Sequence, residues 1–180
     1  MQTIKEKVKN SFSNLKNKID ITNIMESPRL VKVVLSSGTG KIVDKRKKEL
    51  ITDRMTKISG QKSALRGAKK SIATFKLRQG DVIGTMVTLR GDRMYAFLDK
   101  LINIALPRMR DFKGISCGAI DSMGNLTFGI QEHTIFPETE DEDLKDVFGL
   151  SVTIVTTAKN KKTAEAFFRE IGIPLKKTDK

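Results

Sequence analysis

Val82-Ile83-Gly84-Thr85-Met86-Val87-Thr88-Leu89, then Arg90-Gly91, then Asp92 through Leu106: the fold class turns on how these residues are read. The first eight read as a strand rich in apolar and β-branched side chains, closed by Arg90-Gly91. Beyond it Tyr95, Leu98, Ile102 and Leu106 recur three or four residues apart, flanked by Phe97, Leu101 and Ala105. That spacing predicts a helix, and Pro107 ends it.

Toward the N-terminus, residues 61–84 carry no long apolar run; a short strand near Ile72–Lys76 and an exposed loop around Arg78-Gln79-Gly80-Asp81 are expected. Before them, Leu50, Ile51, Met55 and Ile58 mark the inner side of a helix over Asp44–Ile58, stopped by Ser59-Gly60. Leu30 to Leu35 reads as a strand ending at Ser36-Ser37-Gly38-Thr39-Gly40. Ile4, Val8, Phe12, Leu15 and Ile19 form one helical stripe, and Ser27-Pro28 breaks the pattern after it. Toward the C-terminus, Gly114, Gly118, Gly124 and Gly129 separate short apolar stretches that suggest hairpins, with Leu126–Gln131 the best strand. An acidic connection at 138–143, a strand at Val152–Thr157 and a helix at Thr163–Ile171 complete the chain. The expected fold is α+β, a largely antiparallel sheet with helices packed on one face. It is expected as one compact unit over 1–180, with a basic N-terminal half (24–80) and a C-terminal half (84–178).

Of 180 residues, 34 are Lys or Arg and 21 Asp or Glu, so the formal charge is +13. Residues 1–95 hold 22 basic and 8 acidic side chains, and residues 96–180 hold 12 and 13. All the excess positive charge is therefore in the first half, and from Arg54 to Arg93 only Asp81 and Asp92 oppose ten cations. Such a field repels itself, and a polyanion relieves it; nucleic acid is the leading partner class, because neutralised phosphates release condensed counterions. A solvated basic surface is the plain alternative. A membrane surface fits poorly, since no basic amphipathic helix carries exposed aromatics.

Catalytic chemistry finds no constellation. One Cys and one His exclude a disulfide framework and a zinc cluster within the chain. Ser37-Gly38-Thr39-Gly40-Lys41 lacks the phosphate-loop Gly, which would stand at Leu35, and the Ser or Thr, which would stand at Ile42. The dinucleotide fingerprint fails at Val43. Gly38 and Gly40 are better suited to a sharp turn or to close backbone approach by a ligand. His133 has no nucleophile motif beside it, and the acidic run lacks a calcium-loop pattern. No catalytic residue, metal, cofactor or small-molecule substrate is expected. Neither an export signal nor a bilayer-spanning stretch is visible, which points to the cytoplasm.

RNA binding asks for cations toward phosphates, glycines where backbone comes close, and amides or hydroxyls toward bases and 2′-hydroxyls. Gln61-Lys62 with Arg66-Gly67-Ala68-Lys69-Lys70-Ser71 supplies all three, as do Lys76-Leu77-Arg78-Gln79-Gly80 and Thr88-Leu89-Arg90-Gly91-Asp92-Arg93. Phe75 is the only aromatic between Phe12 and Tyr95. Contact through backbone, 2′-hydroxyls and shape is therefore expected, which suits a structured RNA.

At these residues the chain resembles the large-subunit ribosomal protein family numbered five, the universal 5S rRNA-binding protein, in its bacterial form. The resemblance runs from Ile24-Met25-Glu26-Ser27-Pro28-Arg29 to Gly172-Ile173-Pro174. Its most specific pieces are Ile58-Ser59-Gly60-Gln61-Lys62, Phe75-Lys76-Leu77-Arg78-Gln79-Gly80, Val87-Thr88-Leu89-Arg90-Gly91 with Arg93-Met94, and the run from Ile104 to Gly114. Ile135-Phe136-Pro137-Glu138 and the run from Gly149 to Ala158 add to it. The resemblance implies a non-enzymatic protein of the ribosome's central protuberance whose sheet docks on 5S rRNA, with large-subunit rRNA and other 5S-binding ribosomal proteins as neighbours. It implies that Gln61, Thr88 and Arg90 contact RNA, with Ser36 at a further matched position; the basic patches add Lys62, Arg66, Lys69, Lys70 and Arg93, and the strand-end glycines Gly38 and Gly40, to the expected RNA-binding residues. It implies too that a loop at about 72–82, carrying Thr74, Lys76, Arg78, Gln79 and Gly80, points toward peptidyl-site tRNA. The Arg110–Gly149 region would reach a protein of the small-subunit head. Two departures stand out. Ser36 replaces the family's usual Asn, leaving that contact to Ser36, to Ser37 or to backbone, and Asp81-Val82 replaces Tyr-Pro after Arg78-Gln79-Gly80. From other classes, a general nucleic-acid chaperone or DNA-architectural protein, and an enzyme built on the Gly38–Lys41 loop, remain as alternatives.

Overall fold

Residues 82–89 form a strand, and Gly91, at φ 58°, turns the chain directly into a helix. The computed structural model describes residues 3–19, 21, 23–42, 44–139 and 147–176. In chain order the elements are helix α1 (Ile4–Ile19), strand β1 (Leu30–Gly38), helix α2 (Lys45–Ser59), strands β2 (Ala64–Gly67) and β3 (Val82–Leu89), and helix α3 (Gly91–Lys100). There follow a π-helical turn (Leu101–Ala105), the short α4 (Leu106–Arg108), strands β4 (Leu126–Ile130) and β5 (Leu150–Thr156), and helix α5 (Lys161–Ile171). The five strands make one antiparallel sheet in the order β2-β3-β1-β5-β4.

Alternation along the strands shows that one face of the sheet is covered. Val33, Leu35 and Ser37 of β1, Thr85, Val87 and Leu89 of β3, and Val152, Ile154 and Thr156 of β5 are buried, while the residues between them are half open. A period of two with one dry face is the pattern of an α+β sheet.

The chain divides into two units, Met1–Val33 with Arg90–Phe128 and Thr153–Lys180, and Val34–Leu89 with Gly129–Val152. In the first, α1 packs against α5 and α3, burying Ile4 and Leu15 from α1 and Ala164, Phe167, Phe168 and Ile171 from α5. Asp99 caps α1 by accepting from the Ile4 N–H at 2.9 Å. Glu170 ties α5 to α1 by accepting from Asn14 at 2.5 Å and from Lys18 at 3.0 Å, and these bonds hold its carboxyl below the usual range.

In the second unit α2 packs on β3 and buries Ile51, Met55 and Ile58. Asp44 caps its start by accepting from the Arg46 N–H, and Gly60, left-handed at φ 65°, caps its end. Buried His133 stacks on Phe148 at 4.1 Å, and its Nδ1 accepts from the Phe148 N–H. That contact accounts for the chain's only histidine as a packed core residue.

Four local expectations are corrected. β1 runs on to Gly38, because the buried Ser37 hydroxyl finds the Gly149 carbonyl at 2.8 Å. Ile72 and Leu77 pair as an isolated bridge around a 3-10 turn at Ala73–Phe75, whereas Ala64–Gly67 is the strand. The segment 108–125 holds turns and two isolated bridges, Ile115 with Leu175 and Ile120 with Leu126, with no further strands among the described residues. The helical path continues past Pro107 to Arg108 by widening: Leu106 donates to Leu101, five residues back, in the turn before a residue that has no N–H. The acidic run lies partly outside the described residues, from 140 onward. No described helix is long and apolar enough to cross a membrane.

Three outcomes follow from this packing. An added Cβ at Gly124, where φ is 77°, falls 2.8 Å from the Ala158 Cβ, so Gly124→Ala should lower stability by about 2 kcal/mol. Gly38→Ala, with nothing near that Cβ, should stay within about 0.5 kcal/mol in the same urea titrations. Glu170→Gln should cost about 1 kcal/mol at neutral pH. Because the folded protein holds that carboxyl below its usual pKa, the contribution is complete above the ordinary carboxylate range and fades as pH falls through the lowered folded value. Urea midpoints of wild type and variant should therefore converge in acid; a gap that stays constant down to about pH 3 would overturn the assignment.

Candidate nucleic-acid interface

The end of α2 positions the central residue of the interface. Ser59 places its hydroxyl 2.6 Å from the Met55 carbonyl and 2.9 Å from the Gln61 carbonyl, and it receives the Gln61 N–H at 3.3 Å. With Gly60 left-handed, the chain reverses, and the half-buried Gln61 side chain donates through Nε2 to the Thr88 carbonyl at 3.3 Å. Two residues 27 apart in sequence are thus brought together. The Gln61 carboxamide keeps one N–H and its carbonyl oxygen for a ligand.

Ser36 on β1 and Thr88 on β3 stand on neighbouring strands, both half-buried and both on the side away from the buried Leu35, Ser37, Val87 and Leu89. Ser37 is buried and donates to the Gly149 carbonyl, whereas Ser36 stands on the open side. Gly38 and Gly40 have ordinary backbone φ; a Cβ on the first would meet nothing within 4 Å and on the second only Ile83 at 3.8 Å. Packing inside the chain does not demand either glycine.

β2 carries the basic flank. It pairs antiparallel with β3, Ala64 against Met86 and Arg66 against Gly84, with a bulge between Arg66 and Gly67. It is an edge strand, and all four of its residues are exposed. Lys62, Arg66, Lys69 and Lys70 stand open to solvent along this edge.

The following loop is built rather than loose. Its neck is closed by Ala68 N–H to the Asp81 carbonyl at 2.8 Å and Gly80 N–H to the Ala68 carbonyl at 3.0 Å. Gly67 lets that neck pass closely, since a Cβ there would lie 3.2 Å from the Gly80 oxygen. Beyond the neck Ile72 and Leu77 exchange backbone bonds, Lys76 turns left-handed at φ 52°, and the Ser71 hydroxyl accepts from the Gln79 N–H. Asp81 accepts from the Arg78 N–H at 2.8 Å, so the acid that departs from the usual loop fastens backbone. Thr74, Lys76, Arg78, Gln79 and Gly80 are all open to solvent, and Phe75 presents 67% of its surface.

Arg90 and Arg93 belong to the first unit, at the start of α3, and both are exposed. Between them Asp92 pairs with Lys5 at 2.6 Å, which lowers the Asp92 pKa and raises that of Lys5. The residues that sequence reasoning missed are the positioning ones, Ser59 and Asp81. Ser59 was legible only as a helix stop and Asp81 only as a stray charge, because both act on backbone groups that the fold brings to them.

Comparison with known proteins bears on the same stretches. Residues 23–78 match the family described as "Ribosomal protein L5", and residues 82–175 match the C-terminal part of the same ribosomal family. Among curated proteins, the large ribosomal subunit protein uL5 of Syntrophotalea carbinolica is 51% identical, the alignment covering 91% of this chain and 89% of that one. The proteins of the same name from Flavobacterium johnsoniae and Ureaplasma parvum serovar 3 are each 47% identical, over 97% and 98% of this chain and 96% and 97% of theirs. With both halves matched and relatives near one-half identity along almost its full length, the chain belongs to the ribosomal protein L5 family, in its bacterial form: a structural, rRNA-binding component of the large ribosomal subunit and not an enzyme.

Proposed function

We propose that this protein holds 5S rRNA in the central protuberance of the large subunit, using the open side of β1 and β3 together with the basic edge beside them. The observation that carries the reading is the bond from Gln61 to the Thr88 carbonyl. It gives a fixed hydrogen-bonding site, with Ser36 on the neighbouring strand, flanked by the exposed cations Lys62, Arg66, Lys69 and Lys70. The cations supply affinity by releasing counterions, and the amide and hydroxyl groups supply registration on bases and 2′-hydroxyls. Arg90 and Arg93 take further RNA contacts from the start of α3. In this reading the basic half, 24–80, is the RNA-binding half, and 84–178 turns mainly toward protein neighbours.

Thr74, Lys76, Arg78, Gln79 and Gly80 of the exposed 72–82 loop reach peptidyl-site tRNA. Part of the 110–149 region meets a protein of the small-subunit head. The closed neck and the Asp81 fastening support the first of these assignments, since a tip held by backbone bonds meets a distant ligand at lower entropic cost than a free loop.

The test is a titration of the intact protein on 5S rRNA at two salt concentrations with excess bulk tRNA. Tight binding that survives the competitor is expected; binding swept away by it would favour a general nucleic-acid chaperone. Gln61→Ala and Thr88→Ala should weaken binding by about 1–3 kcal/mol with little change in salt slope. Lys69→Ala should instead reduce the slope by about one. Equal behaviour of the two classes would remove the division between registration and charge.

A further inference from the structure

The second unit also holds a cleft of about 1460 Å³ whose α2 wall the 5S reading does not use, although Gly38, Gly40 and Lys62 of its lining belong to that reading. One wall is a side of α2 carrying Lys45, Lys48, Thr52 and Thr56; the opposite wall is the β2–β3 hairpin with Leu65 and Phe75. The α2 side is polar in sequence and largely apolar in contact. Thr52 donates its hydroxyl to the Lys48 carbonyl at 2.9 Å and Thr56 to the Thr52 carbonyl at 2.8 Å, which leaves their methyl groups for the cleft. Lys48 anchors its ammonium on the Val82 carbonyl, so its stem lies along the wall. Leu65 and Phe75 are 56% and 67% exposed, a large apolar surface to leave open beside a cleft.

Charge narrows the occupant. Lys41, Lys45, Lys48, Lys62 and Lys76 line the cleft against Glu49, Asp53 and Asp81. Of these acids, Asp53 is paired with Arg54 and Lys57, and Asp81 holds the Arg78 N–H. The cleft is therefore cationic around an apolar interior. An apolar protein helix would leave the lysines without a counter-charge. A duplex keeps its bases stacked inside and offers nothing to Phe75. An unstacked nucleotide segment meets both requirements: flat faces for the ring and methyl groups, and phosphates for the lysines.

We infer that this cleft is a binding site for a short single-stranded RNA segment, with bases seated between Phe75, Leu65 and the threonine wall and phosphates at Lys41 and Lys45. The inference rests on the RNA-binding reading above but places a second contact on the α2 side, away from Gln61 and Thr88.

The experiment is fluorescence anisotropy with a labelled octauridylate and an octanucleotide carrying 2-aminopurine, titrated with the intact protein. Phe75→Ala and Lys45→Gln alter exposed side chains, so far-UV circular dichroism should match wild type. Each is expected to weaken octamer binding roughly tenfold, and Phe75→Ala to abolish the change in 2-aminopurine emission. Gln61→Ala should leave octamer affinity within about twofold while impairing 5S binding. An RNA duplex of equal length should compete roughly tenfold less well. Unchanged octamer affinity in both cleft variants, equal competition by duplex, or failure of the octamer to bind a protein that still holds 5S rRNA would each overturn the cleft assignment alone. Loss of 5S binding by the wild-type protein would instead sink the reading beneath it.

Discussion

β3 is bonded on both sides, to β2 and to β1, and must cover one of its faces while leaving the other open. Thr85, Val87 and Leu89 go inward and Met86 and Thr88 outward, so a slip of one residue would bury the candidate RNA contact and expose the core. The register also decides where the chain emerges, because Leu89 is followed at once by Arg90, Gly91 and α3. α2 packs on the same strand, and its end delivers Gln61 to the Thr88 carbonyl. One alternation thus orders the core, the helix that lies on it and the polar group aimed past it.

Electrostatics works against this arrangement rather than for it. Most of the cations around β2 and the 68–81 loop stand open to solvent, while Asp81 is used by backbone and Asp53 by its own helix. Exposed pairs such as Lys5 with Asp92 add little stability. The apolar packing carries the fold, and the repulsion it tolerates is what a polyanion removes on binding. Membership of a ribosomal family gives that logic its setting, since the partner is always at hand in the assembled particle.

Much of the fold was legible because long periodic patterns report burial directly. The strand at Val82–Leu89, the helices beginning near Ile4 and Lys45, and the closing helix ending at Gly172 fell where their apolar spacing and caps placed them. β2 was not legible, since Ala64-Leu65-Arg66-Gly67 is exposed throughout and owes its conformation to bonds with β3. The turn at Ala73–Phe75 was mistaken for a strand because Ile72 and Leu77 do pair, but with each other. The widened turn before Pro107 follows from a missing N–H whose effect on the preceding residues no apolar pattern records.

For the candidate site the division is similar. Composition alone placed the positive charge in the first half, removed catalytic chemistry and, through the motifs around Gln61, Phe75 and Thr88, pointed to the family. These are properties of residue identity and order, and they survive without coordinates. Only the tertiary structure joined Gln61 to Thr88, sent Ser37 inward and Ser36 outward, turned Asp81 from a stray charge into a fastening, and opened the cleft lined by Thr39, Thr85 and Phe75. Each depends on which distant backbone group or side chain a residue meets, and that is decided by packing rather than by spacing along the chain.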